Sequence, residues 1–289
     1  MSRGEGPIEH VSDTSFWIAA YRAQETARRD ALFRDPLAGV LAEGRGKKIA
    51  RAMGNSPMMA WVVSVRTVVI DEYIRSALAR GVDTVLNLGA GLDTRPYRLD
   101  LPETLRWIEV DFPQVITYKT LRLGGEPPKC DLERIALDLS KAEERERLFG
   151  KIAERSKRVL VLTEGVIPYL PNEEVAALAS DLLEQRNFKY WITDYFSPTL
   201  MARARRGVLH RRLGRNAPFR FAPENWEKFF ADAGWTRAEM KYLVEEGVRL
   251  GRPPPAPWWL KLAFRLTPRE KRREMARMTG YALLERRGV

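Results

Sequence analysis

Cysteine is nearly missing from this chain: Cys130 is the only one in 289 residues. No intrachain disulfide can form, and no zinc cluster can be built from thiolates. Histidine is almost as scarce. His10 and His210 are the only two, which leaves little material for a histidine triad or a histidine-rich metal site. No run of about 18 apolar residues is available to span a membrane. The first residues lack a basic stretch followed by an apolar one, so no secretory signal is expected, and the expected compartment is the reducing cytoplasm. There is no internal repeat and no long low-complexity segment. Hydrophobic content of 45% and charged content of 30% are ordinary for a globular protein. The net charge of +11 is not. It favours anionic partners, whether acidic small molecules, nucleic acid or a membrane surface. The length allows one large core with insertions.

What is present is organised around Thr84-Val85-Leu86-Asn87-Leu88-Gly89-Ala90-Gly91-Leu92-Asp93-Thr94-Arg95. The apolar run predicts a buried strand. Gly89 and Gly91 can turn sharply and let a ligand approach the backbone, and Asp93 and Thr94 can cap a following helix. Strand, glycine turn and helix N-terminus form the nucleotide-binding corner of an open α/β sheet. The pattern is G-x-G-x-x-T, without the third glycine of the strict dinucleotide fingerprint.

Around this corner, residues 1–12 read as a loose arm and a helix is expected from Asp13. Pro36 suits the first turn of a short second element, and Gly44, Gly46 and Gly54 are expected to loosen the region after it. A long helix is expected over 61–80, closed by Gly81. Further strands are expected at 106–111, 134–139, 158–165 and 189–196, with helices between them, one capped by Asn172. That alternation predicts a mostly parallel sheet. Residues 197–218 are rich in arginine. Two late strands, 235–243 and 281–286, enclose a proline-rich segment, Trp258-Trp259-Leu260 and a basic amphipathic helix.

The ordered motifs Asp35-Pro36, Ser64-Val65-Arg66-Thr67, Asn87 to Arg95, Glu109-Val110-Asp111-Phe112-Pro113, Ala136-Leu137-Asp138-Leu139 and Thr163-Glu164-Gly165-Val166-Ile167-Pro168-Tyr169-Leu170 resemble the leucine carboxyl methyltransferase family. The resemblance is closest to its bacterial branch of polyketide-type O-methyltransferases. It runs from about residue 13 to residue 196. It implies a Rossmann-like class I methyltransferase fold: a seven-stranded, mostly parallel α/β sheet with a helical N-terminal extension. It implies one domain, with a helical cap over 1–80, a donor-binding core over 81–196, and lid insertions at 197–222 and 244–277. It also implies S-adenosylmethionine as methyl donor.

On that resemblance, Gly89, Ala90 and Gly91 approach the methionine part of the donor. Asp111 holds the ribose, as a carboxylate about twenty residues past the turn can. Asp138 and Leu139 take the adenine. Glu164 contacts the donor, through its ammonium group. Arg66 takes the donor carboxylate, for which a planar guanidinium is suited. Arg22 is a second candidate for that carboxylate, and an exposed helix arginine explains it equally well. Tyr97 and Tyr195 are candidate wall residues. The methyl acceptor is expected to be a small, anionic molecule. An ionised carboxylate acceptor needs no base, whereas a phenol would usually need one. His210 is the candidate base for a phenol.

Other readings use the same residues. A nicotinamide-dependent oxidoreductase would share the strand, turn and acid, but the third glycine is missing. An RNA methyltransferase would suit the basic charge, but the segment after the fourth strand lacks the Asn/Asp-Pro-Pro-aromatic motif of base N-methyltransferases. A basic scaffold that binds a membrane or partner through Trp258 and Trp259 is a third reading. Oligomeric state is not legible in the sequence.

Overall fold

The computed structural model describes residues 12–52, 55–206 and 218–288. The arm expected over residues 1–12 lies almost wholly outside them. The continuous apolar runs of β1 (Thr84–Leu88) and β4 (Val159–Thr163) are buried at every residue, which is the pattern of strands covered on both faces. They pair in parallel at the centre of one seven-stranded sheet. Its order is β3-β2-β1-β4-β5-β7-β6, with β2 (Arg106–Asp111), β3 (Asp131–Ala136), β5 (Phe188–Phe196), β6 (Trp235–Tyr242) and β7 (Thr279–Arg286). The first five strands run parallel, and β7 lies antiparallel between β5 and β6. The seven-stranded, mostly parallel architecture expected from the sequence is therefore the one observed.

Strand order reverses between β1 and β4. At such a switch point the flanking loops of an open sheet run to opposite faces, and ligands bind outside the carboxyl ends of the strands. Side chains alternate across the sheet. Leu86, Val110 and Val161 pack with α7 (Ala142–Glu154) and α8 (Asn172–Glu184), while Val85, Trp107 and Leu160 pack with α4 (Pro57–Ala79) on the other face. The β-branched content of α4 does not prevent a helix, because Val65, Val69, Ile70 and Ile74 are fully buried against the sheet. Ser56 caps its start, accepting from Met59 N at 3.3 Å, and Gly81 at φ +81° ends it.

A third apolar cluster joins α1 (Asp13–Thr26), α2 (Pro36–Leu41) and α3 (Arg45–Ala52) to Leu92 and Val115, which places these helices beside the glycine turn. Here one expectation fails. Gly46 does not loosen a loop: it lies inside α3 and a Cβ there would sit 2.5 Å from the Phe16 carbonyl oxygen, while Gly44 makes the turn before α3 at φ +67°. Gly46 lets two helices touch. Gly54 lies outside the described residues.

Two other local expectations also move. The strand expected at 134–139 is β3 at Asp131–Ala136, because pairing with Arg106–Asp111 sets its register and not the apolar spacing of Ile135, Leu137 and Leu139. Asn172 does not cap α8, since its side chain accepts from Ala222 N at 2.9 Å.

Candidate active site

The glycine turn leaves β1 through two left-handed residues, Gly89 at φ +65° and Gly91 at φ +50°. A Cβ on Gly89 would lie 2.4 Å from Val166 Cγ2, so only glycine fits both the backbone and the space. The turn is tied to the end of β2. Gly89 N and Ala90 N donate to the Val110 carbonyl at 2.8 and 3.1 Å, and Gly91 N donates to Asp111 Oδ2 at 2.6 Å. Asp111 Oδ1 accepts from Phe112 N at 2.7 Å. The acid at the end of β2 and the turn after β1 thus form one rigid rim.

Beneath the rim lies a buried network of four arginines and four carboxylates. It begins at Arg66 on α4, whose Nε is 3.0 Å from Glu164 Oε1 at the end of β4. That nitrogen is buried and paired by charge, yet it is not aligned to donate a hydrogen bond. Glu164 Oε2 accepts from Arg95 Nη1 at 2.7 Å. Arg95 also donates to Asp71 Oδ1 at 2.7 Å and Asp93 Oδ2 at 2.8 Å. Arg98 forks onto Asp71 at 2.6 and 2.9 Å, and its Nε lies 3.9 Å from Asp35. Asp35 accepts from Arg22 Nε at 2.8 Å and from Thr94 Oγ1 at 2.7 Å.

Burial alone would raise the Asp93 and Glu164 carboxyls. In both the arginines win: Arg95, then Lys119, Arg22 and Arg98, hold Asp93 well down, and Arg95 with Arg66 pulls Glu164 below its ordinary value. Both acids are therefore ionised at neutral pH.

Asp194, near the end of β5, behaves oppositely. It is 3% exposed. Burial pushes its carboxyl up to about 6, against the hydrogen bonds from Tyr281 Oη at 2.8 Å and Gly165 N at 2.9 Å and the charge of Arg66. An acid with a raised folded pKa holds its proton more tightly folded than unfolded. It therefore costs nothing below about pH 4, and its cost grows as pH rises to 6 and above. Asp194→Asn is expected to remove that slope, its gain over the wild type growing from near zero at about pH 4 to roughly 1–3 kcal/mol above about pH 6. An amide can keep both bonds, its oxygen toward Gly165 N and its nitrogen toward the Tyr281 oxygen. Urea unfolding across that range checks this, and an unchanged slope in the variant contradicts it.

The structure brings Arg66, Gly89, Ala90, Gly91, Asp111 and Glu164 together at the carboxyl ends of β1, β2 and β4. Asp138 and Leu139 follow β3, one strand further out. Asp138 Oδ1 accepts from Ser140 N at 3.0 Å and Ser140 Oγ at 2.8 Å, and Leu139 packs half-buried at the core margin. Arg22 is not an exposed helix residue. It is 7% exposed, and besides Asp35 it donates to the Leu92 carbonyl just past the glycine turn. Tyr97, on the short helix α5 (Arg95–Arg98), accepts from Arg134. Tyr195 lies edge-on to Trp226 at 5.5 Å and Tyr242 at 5.8 Å. His210 lies outside the described residues.

Several residues escape sequence reasoning: Asp71, Arg95, Arg98, Asp194, and an aromatic wall past β4 and β5. In that wall Tyr169 stacks on Phe219 at 5.5 Å and 18°, with Phe196 6.4 Å from the same ring. Arg95 stands inside the glycine motif, so its signal was available. Asp71 carried none beyond a charge in the apolar run of α4, and Arg98 none beyond a charge in a four-residue helix.

Comparison with known proteins places this geometry in context. A family model described as leucine carboxyl methyltransferase matches residues 15–183. A protein of Mycobacteroides abscessus, provisionally named an S-adenosyl-L-methionine-dependent methyltransferase, is 33% identical over 190 residues, which is 60% of this chain and 61% of that protein's length. A similarly named protein of Streptomyces coelicolor is 31% identical over 274 residues, covering 86% of this chain and 92% of its own. Among solved structures, one from Thermobifida fusca, provisionally titled a methyltransferase, aligns over 96% of this chain and 95% of its own with a TM-score of 0.58 and 14% identity. That last likeness concerns the fold.

Proposed function

The chain belongs to the leucine carboxyl methyltransferase family, and from that premise we propose that it is an O-methyltransferase acting on a small acidic molecule. It is an S-adenosyl-L-methionine-dependent methyltransferase, as its relatives of 33% and 31% identity are named. The acceptor group we assign is a carboxylate, on a planar, polyketide-like acid.

The observation that carries the reading is the pairing of Arg66 with Glu164, which follows β4, the strand next to β1 and its glycine turn. A cation and an anion 3.0 Å apart, the cation with a buried N–H not aligned to any acceptor, suit the carboxylate and ammonium of one amino-acid moiety. The Gly89 turn, which tolerates no Cβ, suits a ligand lying against the backbone. Asp111 would hold the ribose hydroxyls, with Asp138 and Leu139 at the adenine. Arg22, through Asp35 and the Leu92 carbonyl, would position the turn.

When bound, S-adenosylmethionine supplies a methyl group already activated on a sulfonium. The protein then has to align the acceptor oxygen behind that methyl and exclude water. Tyr169, Phe196 and Phe219 would seat the planar part of the acceptor, and the arginine-rich stretch after β5 would attract its charge. An ionised carboxylate needs no proton removed. A phenol is the second reading, favoured by Asp194, whose raised carboxyl near Arg66 is suited to take a phenolic proton.

Incubation with S-adenosylmethionine and a panel of aromatic acids and phenols tests this by mass spectrometry. The expected product gains one methyl group, which mild alkali releases as methanol because it is an ester. An alkali-stable ether establishes the phenol reading. A methyl group on nitrogen or carbon overturns both.

A further inference from the structure

Of the nine large hydrophobic side chains exposed among the described residues, five lie in one segment: Trp258, Trp259, Leu260, Leu266 and Met275. Trp258 and Leu266 are 77% and 79% exposed, values that belong to a surface built to be covered by something else.

The segment is anchored at both ends. On one side the Arg252 carbonyl accepts from Trp61 Nε1 at 2.7 Å, and the Arg252 guanidinium lies 3.3 Å from Glu25. On the other, Arg277 Nε donates to Glu245 at 2.7 Å, with the guanidinium 5.0 Å above the Tyr242 ring. Pro253, Pro254, Pro255 and Pro257 stiffen the arm that leads out. What the arm carries is the helix Trp258–Leu266, followed by a second helix, Arg269–Ala276, in which no residue is buried.

At about 100° per residue, Trp258, Trp259 and Leu266 share one face of the first helix, while half-buried Phe264 points the other way. The second helix carries Arg269, Lys271, Arg272 and Arg273 against only Glu270 and Glu274. Tryptophans beside an excess of exposed bases are the composition of a helix pair lying in the headgroup region of an anionic leaflet. No helix among the described residues is long and apolar enough to cross a membrane. A second copy of the chain fits the surface poorly, because a symmetric contact would set the same bases against one another.

We propose that these two helices form a peripheral docking surface for anionic phospholipid bilayers. Trp258, Trp259 and Leu266 enter the acyl boundary, and Arg269, Lys271 and Arg273 meet the lipid phosphates. Surface charge and apolar insertion act together, since neither alone gives stable anchoring.

Flotation of the full chain with phosphatidylcholine vesicles, with and without phosphatidylglycerol, tests the proposal. The wild type is expected to float with the mixed vesicles and much less with the neutral ones. Trp258→Ala/Trp259→Ala is expected to lower binding about tenfold or more. Arg269→Ser/Lys271→Ser/Arg273→Ser should lower it by roughly fivefold per charge. All these positions are exposed, so both variants should keep the wild-type melting temperature. No flotation overturns the proposal. So does equal binding to neutral vesicles, or a wild-type dimer in sedimentation that the tryptophan variant dissociates while vesicles bind neither. A tryptophan variant that loses methyl transfer in lipid-free buffer, with wild-type flotation absent, would make the helix a lid and also overturn it.

Discussion

Replacing Arg95 by methionine is expected to destabilise the fold by about 3–5 kcal/mol, the cost of leaving buried charge without its partner. Arg95 is 2% exposed and serves three carboxylates at once. Two of the three keep another arginine: Asp71 has Arg98, and Glu164 has Arg66. Asp93 does not. It retains the amide of Asn87 at 3.0 Å and the backbone N–H of residue 95, which are dipoles and not a charge. The penalty therefore falls mainly on Asp93. In the variant its carboxyl should rise out of the depressed range, so the stability deficit should shrink as pH is lowered through the carboxylate region. Thermal unfolding at pH 5 and pH 8 reads both the loss and its pH dependence. At about 2–4 °C per kcal/mol for a chain of this size, the midpoint should fall by roughly 6–20 °C at the higher pH. A loss under about 1 kcal/mol would mean that the network is only a surface-like set of ion pairs.

Replacing Arg66 by methionine should separate binding from stability. Glu164 keeps Arg95 at 2.7 Å, so the fold should be little affected. Donor affinity should fall at least about a hundredfold, because each charge-assisted hydrogen bond to a carboxylate contributes about 1.5–3 kcal/mol and a guanidinium makes two. Arg66→Lys keeps the charge but not the fork, and should recover only part of the loss. Titration of each variant with S-adenosylhomocysteine gives the numbers. Unchanged affinity in Arg66→Met would remove this residue from the donor pocket.

The sheet was legible because its central strands are continuous apolar runs punctuated by glycine. Thr84–Leu88 and Val159–Thr163 are buried at every position, and such runs advertise themselves. The edge was less legible. β3 pairs on one side only and alternates exposed and half-buried residues, so its register depended on β2. The N-terminal glycines misled for another reason: Gly46 is required by the distance between α3 and α1, a tertiary fact that no local spacing carries.

The candidate site divides in the same way. Gly89, Gly91, Asp111 and Glu164 each sit at the end of an identifiable strand. The charges that set the electrostatics came from elsewhere. Asp71 lies mid-helix on α4, and Asp194 lies within a strand otherwise rich in aromatic and β-branched residues. A buried acid on an apolar face looks like any other acid until its partners are known. Asp194 differs from Asp93 in what surrounds it: Tyr281 and Gly165 supply dipoles, whereas Arg95 supplies a full charge.

We propose that the carboxyl ends of β1, β2 and β4 hold S-adenosylmethionine. Titration calorimetry of the purified protein with S-adenosylhomocysteine and, separately, with NAD tests it most directly, with Asp111→Ala alongside. Saturable heat is expected with S-adenosylhomocysteine and none with NAD, and affinity should be about tenfold or more weaker in Asp111→Ala, whose carboxylate braces Gly91 and would hold the ribose hydroxyls. Heat with NAD alone, or S-adenosylhomocysteine binding that Asp111→Ala leaves unchanged, would contradict it.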